Sequence, residues 1–487
     1  MTALIFLAAV VFLGWGFYRS RALGKLGILA WLQSVVLMAP WLGLFGLIGV
    51  GIVPNLASIL LILVLSIAVY IFLGRQLRAL AAQDSAGQGI ASVPRAATEE
   101  INSPKVESDA EPAVTGTPPP IPDAELKTIQ GLLGIDTFFP TEVIPYQDGV
   151  IFKGNLRGEA ATVHAHLSKK LAAALGDAYR LFLVNNLEGK PVVIVLPKRN
   201  DPQPATLTQK LFSLILAVAT LATCLETGGL MLEFDLLQAP NRYLESLPLG
   251  LGIFGILIFH EVGHQVLARR HGVKFSLPFL IPALQIGSFG ALNRFESLVP
   301  NRKVLFDVAL AGPAVGGIVS LVLLVFGLLL STSESLFQVP TLFFQSSILV
   351  GTLSRVVLGG ALQEELVAVH PLVVVGWLGL VITAINLMPA GQLDGGRIVQ
   401  AIYGRKVAGR TTIFTLIFLA IAALVNPLSL YWAILILFLQ RDLERPSLEE
   451  ITEPDDARAA LGLLALFLMV AVLMPLTPSL AGRLGIG

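Results

Sequence analysis

The chain has 487 residues, of which 55% are hydrophobic and only 14% are charged. Soluble globular chains carry about 25% charged residues, so this composition predicts an integral membrane protein. Lys plus Arg and Asp plus Glu number 33 each, and this balanced charge gives no support to a nucleic-acid partner. The single cysteine, Cys224, excludes an internal disulfide and a metal site built from cysteines.

The first 200 residues predict three regions ahead of the main membrane core. Residues 1–74 contain three long apolar stretches, which we interpret as N-terminal transmembrane helices. Residues 75–122 are dominated by Ala, Ser, Pro and acidic residues, a composition typical of a flexible linker. Residues 123–200 alternate helical and strand-like patterns and predict a small soluble α/β domain. We expect its helices and strands at Glu125–Leu133, Asp148–Lys153, Ala160–Leu175, Tyr179–Val184 and Val192–Leu196.

Residues 205–487 predict a polytopic helical core, so the protein as a whole is expected to be mainly α-helical and multi-pass. The segment Phe275–Phe289 is apolar but broken by Pro278 and Pro282, and we interpret it as a re-entrant hairpin or a sheet at the membrane edge. The acidic stretch Glu444–Asp456 is interpreted as a solvated loop. The runs expected to cross or enter the bilayer are Leu211–Leu225, Leu247–Leu267, Val304–Leu330, Pro371–Met388, Thr411–Val425, Leu428–Leu439 and Ala459–Leu476.

Basic residues predict the orientation of these spans. The pairs Lys198-Arg199 and Arg269-Arg270 lie at span ends that share one side if each run crosses once. Cytoplasmic loops carry an excess of Lys and Arg, so the α/β domain and the carboxyl end of the Leu247–Leu267 span are expected to face the cytoplasm.

A metal-binding pattern lies in that span, in the sequence His260-Glu261-Val262-Gly263-His264. On an α-helix this spacing turns both imidazoles to one face, where they can bind one metal ion and leave positions for a third ligand and a water molecule. Glu261 can reach that water without binding the metal, as a general base does. Ionisable groups at membrane depth are costly and usually functional, which favours a site over a helix end whose polar residues merely reach the interface.

Asp394 is the strongest candidate for the third ligand. An apolar run ends at Pro389, Gly391 allows a turn, and a new helix can begin near Asp394. Considered alone, this residue would more often be a helix cap. Beside a two-histidine site that lacks a ligand, metal binding is the better interpretation.

These two motifs together resemble the site-2 protease family of intramembrane metalloproteases. The first is the helical His-Glu-x-x-His motif, and the second is Asn-x-x-Pro-x-x-x-Leu-Asp-Gly, which runs from Asn386 to Gly395. Ala390 directly after Pro389 departs from the proline-rich form of the second motif, although the spacing to Asp394 is kept. Weaker support comes from Gly290-Ala291-Leu292-Asn293-Arg294 and Ala311-Gly312-Pro313.

A further segment, Gly154-Asn155-Leu156-Arg157-Gly158, lies in the soluble region ahead of the core. With that region it is similar to the plant and cyanobacterial branch of the family called ethylene-dependent gravitropism-deficient and yellow-green. The resemblance covers residues from about 123 to the end of the chain. The membrane is expected to be a plasma membrane or, as this resemblance implies, a thylakoid-type membrane.

The resemblance also implies a chemistry. A zinc ion would be bound by His260, His264 and Asp394, with Glu261 as catalytic base. The reaction would be hydrolysis of a peptide bond within or beside the transmembrane helix of a single-span membrane protein.

Three further positions match the family motif and would contact the substrate or the transition state, namely Asn386, Pro389 and Gly395. On physical grounds alone, an Asn386 that is buried and hydrogen-bonds a neighbouring helix is an equally good interpretation.

Two other classes of function stay open at this point. A zinc-binding transporter would usually show internal repeats with an ion site at their interface, and no repeat is visible. A membrane chaperone or scaffold with a structural zinc ion would usually need four protein ligands, and only three are apparent. The oligomeric state has no signature in the sequence.

Overall fold

The computed structural model describes residues 121–486, apart from the single residues 147, 187, 285, 425 and 441, together with short stretches between residues 17 and 76. The chain forms two compact units, residues 1–115 and 116–487. In the first unit the described residues are helical, and the rings of Phe17 and Trp31 pack with centroids 4.9 Å apart. The transmembrane helices expected in residues 1–74 and the linker expected in 75–122 lie largely outside the described residues.

The second unit begins with a small α/β domain. Its four-stranded antiparallel sheet has the order β1-β2-β4-β3, and α2 packs on β3. Its core includes Phe138, Phe152, Leu167 and Leu183, which are fully buried. The elements are α1 (Asp123–Leu132), β1 (Phe138–Tyr146), β2 (Gly149–Leu156), α2 (Ala160–Leu175), β3 (Tyr179–Asn185) and β4 (Pro191–Pro197).

Every helix and strand expected in this domain is present, with ends shifted by at most a few residues. Strand β1 was missed by the sequence pattern because it carries Pro140 and Pro145 and has a register shift between Pro140 and Glu142. Prolines are tolerated in this strand because it lies at the edge of the sheet, where one row of backbone amides needs no partner strand.

The membrane core follows, and by length and composition four helices of its described residues can each cross a bilayer, namely α3, α4 with the turn before it, α5 and α11. Helix α8, with 16 residues, is apolar but shorter than a full crossing. The elements are α3 (Leu207–Met231), α4 (Tyr243–Arg270), β5 (Phe279–Ala283), β6 (Gly287–Leu292), α5 (Arg302–Leu329), β7 (Phe337–Pro340), α6 (Leu342–Gln345), α7 (Ile348–Leu358), β8 (Leu366–Val369), α8 (Pro371–Asn386), α9 (Asp394–Ala422), α10 (Pro427–Leu435), α11 (Asp456–Leu473) and α12 (Pro478–Leu484).

The proline-broken segment forms the antiparallel hairpin β5-β6, which packs against α3. Hydroxyl groups of α3 donate to its backbone, Ser213 Oγ to the Pro278 oxygen at 2.6 Å and Thr223 Oγ1 to the Gly287 oxygen at 2.6 Å. Non-helical backbone is tolerated among membrane helices when protein groups satisfy its carbonyls in this way.

Helix α9 contains a break that another helix stabilises. It begins at Asp394, as expected, but the backbone leaves helical geometry at Gly404, where φ is 79°. The buried guanidinium of Arg302, at the start of α5, donates to the carbonyls of Ala401 at 2.7 Å and Ile402 at 2.6 Å. These carbonyls lie in the last turn before the break, where a helix leaves oxygens without a partner of its own.

Only the second half of the acidic stretch after α10 is a solvated loop, and for residues 444–450 that prediction is wrong. Glu444, Glu449 and Glu450 are all buried, with at most 8% of their surface exposed. Glu449 accepts hydrogen bonds from the backbone amides of Ile451 and Thr452, Glu444 pairs with a buried arginine, and burial raises the pKa of Glu450. Partners inside the protein, which sequence pattern cannot show, allow these carboxylates to be buried.

Residues 444–450, which we name the connecting segment, join the α/β domain to the membrane core. The Leu183 amide of β3 donates to the Leu448 carbonyl at 2.8 Å, and the Glu450 amide donates back to the Leu183 carbonyl at 3.0 Å. On its other side, Leu448 donates to the Val299 carbonyl at 2.9 Å, just ahead of α5. The edge of the domain sheet is thus continued by backbone of the core.

Candidate active site

His260 and His264 lie one turn apart on α4, and both are buried. His264 is six residues from the basic end of the helix, which corresponds to about 9 Å of rise. Close packing of α4 on α5 encloses the histidines, because a Cβ on Gly263 would lie only 2.5 Å from the Ala311 oxygen. Glycine is therefore needed where the two helices meet.

The hydrogen bonding of His264 determines which of its nitrogens is free. Its Nδ1 lies 2.8 Å from the carbonyl oxygen of Val308 on α5. A carbonyl can only accept, so Nδ1 donates its proton there. In the neutral ring, Nε2 then carries a lone pair, and this nitrogen points toward His260 and Asp394.

Three atoms that can bind a metal ion converge at this point. His260 Nε2 and His264 Nε2 are 3.2 Å apart, and Asp394 Oδ2 lies 3.2 Å from the former and 3.3 Å from the latter. Asp394 reaches them from the first residue of α9, and it is also buried. The ligand atoms of the two histidines and Glu261 lie within 4.8 Å of one another, a grouping that could hold a metal ion.

The triangle fits a tetrahedral metal ion. Ligands at about 2.0–2.1 Å from zinc in tetrahedral geometry are separated by about 3.3 Å, which is the spacing of these three atoms. Space for the ligands depends on Gly312, since a Cβ there would lie 2.1 Å from His264 Nε2. When Nε2 of both imidazoles is unprotonated, three acceptor atoms surround one point, and a cation between them makes this arrangement favourable.

Glu261 is held by a residue of the extended segment that follows the hairpin. Its Oε2 accepts a hydrogen bond of 2.9 Å from Asn293 Nδ2, and both side chains are buried. Asn293 Oδ1 is buried and has no hydrogen-bond partner among the residues that the structure describes. The amide thus fixes one carboxylate oxygen and leaves an acceptor beside it.

Arg397 connects both halves of the site. Its guanidinium donates to the Asn293 carbonyl at 2.5 Å and to Glu444 Oε2 at 2.9 Å, and it lies 3.8 Å from Asp394 Oδ1. The side chain is only 2% exposed, so the Glu444 carboxylate is the charge that makes its burial possible. Arg397 therefore positions the carboxylate of Asp394 and the backbone of Asn293 together.

The alternative in which Asp394 caps a helix is wrong. Leu393 occupies the N-cap position of α9, and no side chain caps this end. The Asp394 carboxylate instead faces the two histidines.

Among the described contacts, no hydrogen bond or ion pair joins the three residues expected to contact the substrate to the histidines, Glu261 or Asp394. Asn386 donates to the Ile382 carbonyl of its own helix at 2.9 Å and lies against Gly290 of the hairpin. The Pro389 carbonyl accepts a bond of 3.4 Å from Thr415. Gly395 lies where a Cβ would be 1.9 Å from the Leu387 oxygen, so it allows α9 to start against the end of α8.

Sequence reasoning missed Asn293, Arg397 and Glu444 as parts of the site. Asn293 appeared only within a supporting motif, and Glu444 only within the acidic stretch. The one available signal was an arginine directly after Asp394-Gly395-Gly396 in a buried apolar region, because such a charge requires an acidic partner.

Two family models match parts of this chain. The family model described as "Peptidase family M50" matches residues 249–425, and the model described as "EGY3 middle domain" matches residues 127–204. The curated protein "Probable zinc metalloprotease EGY1, chloroplastic" of Arabidopsis thaliana is 36% identical over 408 residues, which cover 76% of this chain and 74% of that protein. No solved structure matches the chain.

Two further relatives carry similar names. "Probable zinc metalloprotease EGY2, chloroplastic" of Arabidopsis thaliana is 39% identical over 73% of this chain and 65% of its own length. "Probable zinc metalloprotease EGY3, chloroplastic" of Oryza sativa subsp. indica is 33% identical over 72% and 64%. The chain therefore belongs to peptidase family M50, the site-2 protease family of intramembrane metalloproteases. Within that family it is strongly similar to the EGY proteins.

Proposed function

We propose that His260, His264 and Asp394 bind a catalytic zinc ion and that Glu261 is the general base of an intramembrane endopeptidase. One observation carries this assignment: three buried side-chain atoms that can bind a metal ion, from α4 and α9, lie 3.2–3.3 Å from one another. Three protein ligands leave a fourth position for water or substrate, whereas structural zinc sites usually have four protein ligands.

The residues divide the work of peptide hydrolysis. Zinc, when bound, polarises the scissile carbonyl and lowers the pKa of a water molecule to about 7. Glu261, oriented by Asn293, takes a proton from the attacking water and later delivers it to the leaving amine. The free Oδ1 of Asn293 adds an acceptor beside Glu261 for water or for a peptide N–H.

The substrate proposed for this site is the transmembrane helix of a single-span membrane protein, which has to unwind locally before its peptide bonds become accessible. The site lies in the half of the bilayer next to the α/β domain, because His264 is about 9 Å from that end of α4 and 21 residues from the other. Water can therefore enter from the domain side.

We further propose that the domain side is the cytoplasmic side of a plasma or thylakoid-type membrane. Arg269 and Arg270 end α4 on this side and are exposed, as the positive-inside rule requires. Labelling of a Lys170→Cys variant by a membrane-impermeant maleimide, in sealed vesicles of known orientation, tests this. Labelling from the opposite side would overturn it.

Removal of the metal is the experiment that tests the function. In proteoliposomes with a fluorescent single-span substrate, a chelator is expected to stop cleavage, and added Zn²⁺ but not Mg²⁺ to restore it, because histidine nitrogens favour zinc over magnesium. The measurement is the rate of product formation alongside the zinc content of the protein. Cleavage by protein that contains no metal would contradict the proposal.

Gly312→Ala is expected to lower both zinc content and cleavage, since the added Cβ would lie 2.1 Å from His264 Nε2. Overpacking costs about 1–3 kcal/mol, so we expect roughly a tenfold loss or more. Gly317→Ala on the same helix is the matched control, because its Cβ meets only Thr383 Cγ2 at an ordinary 3.6 Å. Equal behaviour of the two variants would show that Gly312 has no special part in the site.

A further inference from the structure

A groove runs along the boundary between the α/β domain and the membrane core. Its outer part is a recess of about 600 Å³ between the end of α2 and β3 on one side and residues 296–298 with Lys274 on the other. Its inner part is a recess of about 220 Å³ that continues to Gln392, two residues before Asp394. Both parts share the walls formed by Pro202, Gln203, Ser297 and Leu298, so we name them together the water-side groove.

The position of this groove relates it to the proposed catalytic centre. Lys274 comes four residues after the end of α4, whose histidines lie about one and a half to three turns further in. Arg294, in the inner part, directly follows Asn293, which holds Glu261. A chain that leaves the site toward the α/β domain therefore meets the inner end of the groove first.

The acidic groups that line the groove are already engaged. Asp177 is paired with Arg180 and Lys198, and their hydrogen bonds hold its pKa well below the usual range. Asp201 is 2.9 Å from Arg180. The other two carboxylates, Glu296 and Glu444, accept from the Ala205 amide at 3.0 Å and from Arg397 at 2.9 Å.

Three basic groups of the lining have no acidic side chain as partner among the described residues, namely Lys274, Arg294 and Arg445. Lys274 and Arg445 are exposed, and Arg294 keeps a buried Nε without a hydrogen-bond partner. The guanidinium groups of Arg294 and Arg445 donate to neutral oxygens, Gln209 Oε1 at 2.9 Å and the Asn200 carbonyl at 3.2 Å. The lining as a whole carries five basic and four acidic side chains, and these three cations are the ones free to pair with an anionic ligand.

We propose that the water-side groove binds the segment of the substrate that adjoins its transmembrane helix, and that it prefers an acidic segment. This inference rests on the proposed function, because the groove is assigned to the same substrate that the proposed zinc site hydrolyses. An extended peptide fits two joined recesses that end at Gln392, two residues before Asp394, and its carboxylates complement the three unpaired cations.

The test uses the full chain and three single-span substrates that differ only after the transmembrane helix, on the domain side, where they carry three Asp, three Ser or three Lys. For the wild type we expect the lowest KM with the Asp substrate. In the double variant Lys274→Glu, Arg445→Glu we expect that KM to rise about tenfold and the preference to shift to the Lys substrate. Lys170→Glu reverses a single charge on an exposed site of α2 outside the groove and serves as control.

A second arm separates this inference from the catalytic proposal. Binding of a fluorescent peptide that carries the Asp segment alone, measured by anisotropy, requires no cleavage. We expect it to weaken in the double variant and at high salt, while Lys170→Glu binds like the wild type. The proposal for the water-side groove would be overturned by a KM that changes equally for all three substrates. It would also be overturned if the peptide bound the double variant as tightly as the wild type. Absence of any cleavage together with intact, charge-dependent peptide binding would instead count against the catalytic proposal.

Discussion

Glu261→Gln is expected to abolish measurable cleavage while the protein keeps its zinc. Glutamine preserves the shape of the side chain and can still accept the hydrogen bond from Asn293, but it cannot take a proton from water. General acid–base catalysis contributes roughly 10²- to 10⁴-fold, so the turnover number should fall by at least this order. The measurement is single-span substrate cleavage in proteoliposomes, with zinc determined on the same preparation.

The same helix offers a matched control. Glu245, in the first turn of α4, is exposed and pairs with Arg242 at 2.6 Å, far from the histidines. Glu245→Gln should leave both cleavage and zinc unchanged. If Glu261→Gln cleaves as fast as Glu245→Gln, Glu261 is not the general base.

Asp394→Ala is expected to remove both zinc and activity. The substitution leaves two imidazoles as the only protein ligands of the proposed site. It also removes the carboxylate that lies 3.8 Å from Arg397, so this guanidinium loses one of its two acidic neighbours. Loss of an outer-shell partner alone typically costs 10- to 100-fold in metal affinity or activity, and loss of a ligand should cost more.

A second aspartate that starts a membrane helix provides the comparison. Asp456 is the first residue of α11, as Asp394 is of α9, but it is exposed. Asp456→Ala should bind zinc like the wild type, and the two zinc affinities are measured by competition with a chelator of known affinity. Unchanged zinc affinity in Asp394→Ala would remove this residue from the ligand set.

The catalytic motif could be predicted because its geometry is local. One helical turn separates His260 from His264, and helix periodicity alone turns them to one face. Asp394 is 134 residues from His260, and it could be proposed only from the chemical need for a third ligand and from the second family motif. The β5-β6 hairpin could also be predicted from local sequence, since prolines interrupt an apolar stretch there.

The supporting residues could not be predicted because their partners are distant in the chain and leave no periodic signal. Asn293 and Glu261 are 32 residues apart, and Arg397 and Glu444 are 47 apart. An acidic stretch is solvated in most proteins, so the burial of Glu449 depends on a tertiary contact that composition does not encode. Strand β1 was missed for a different reason. Prolines are unusual in a strand, but they are tolerated in this one because it lies at the edge of the sheet.

The connecting segment links the sheet of the α/β domain to the residues that surround the candidate active site. Glu444 holds Arg397, and four residues later Leu448 is hydrogen-bonded to Leu183 at the edge of the domain sheet. Four residues of chain span at most about 14 Å, so the two anchor points lie within that distance of each other. We therefore expect a larger displacement of β3 to move Glu444 and the Arg397 guanidinium with it, and a chain cut between residues 444 and 448 to uncouple them while keeping every catalytic side chain.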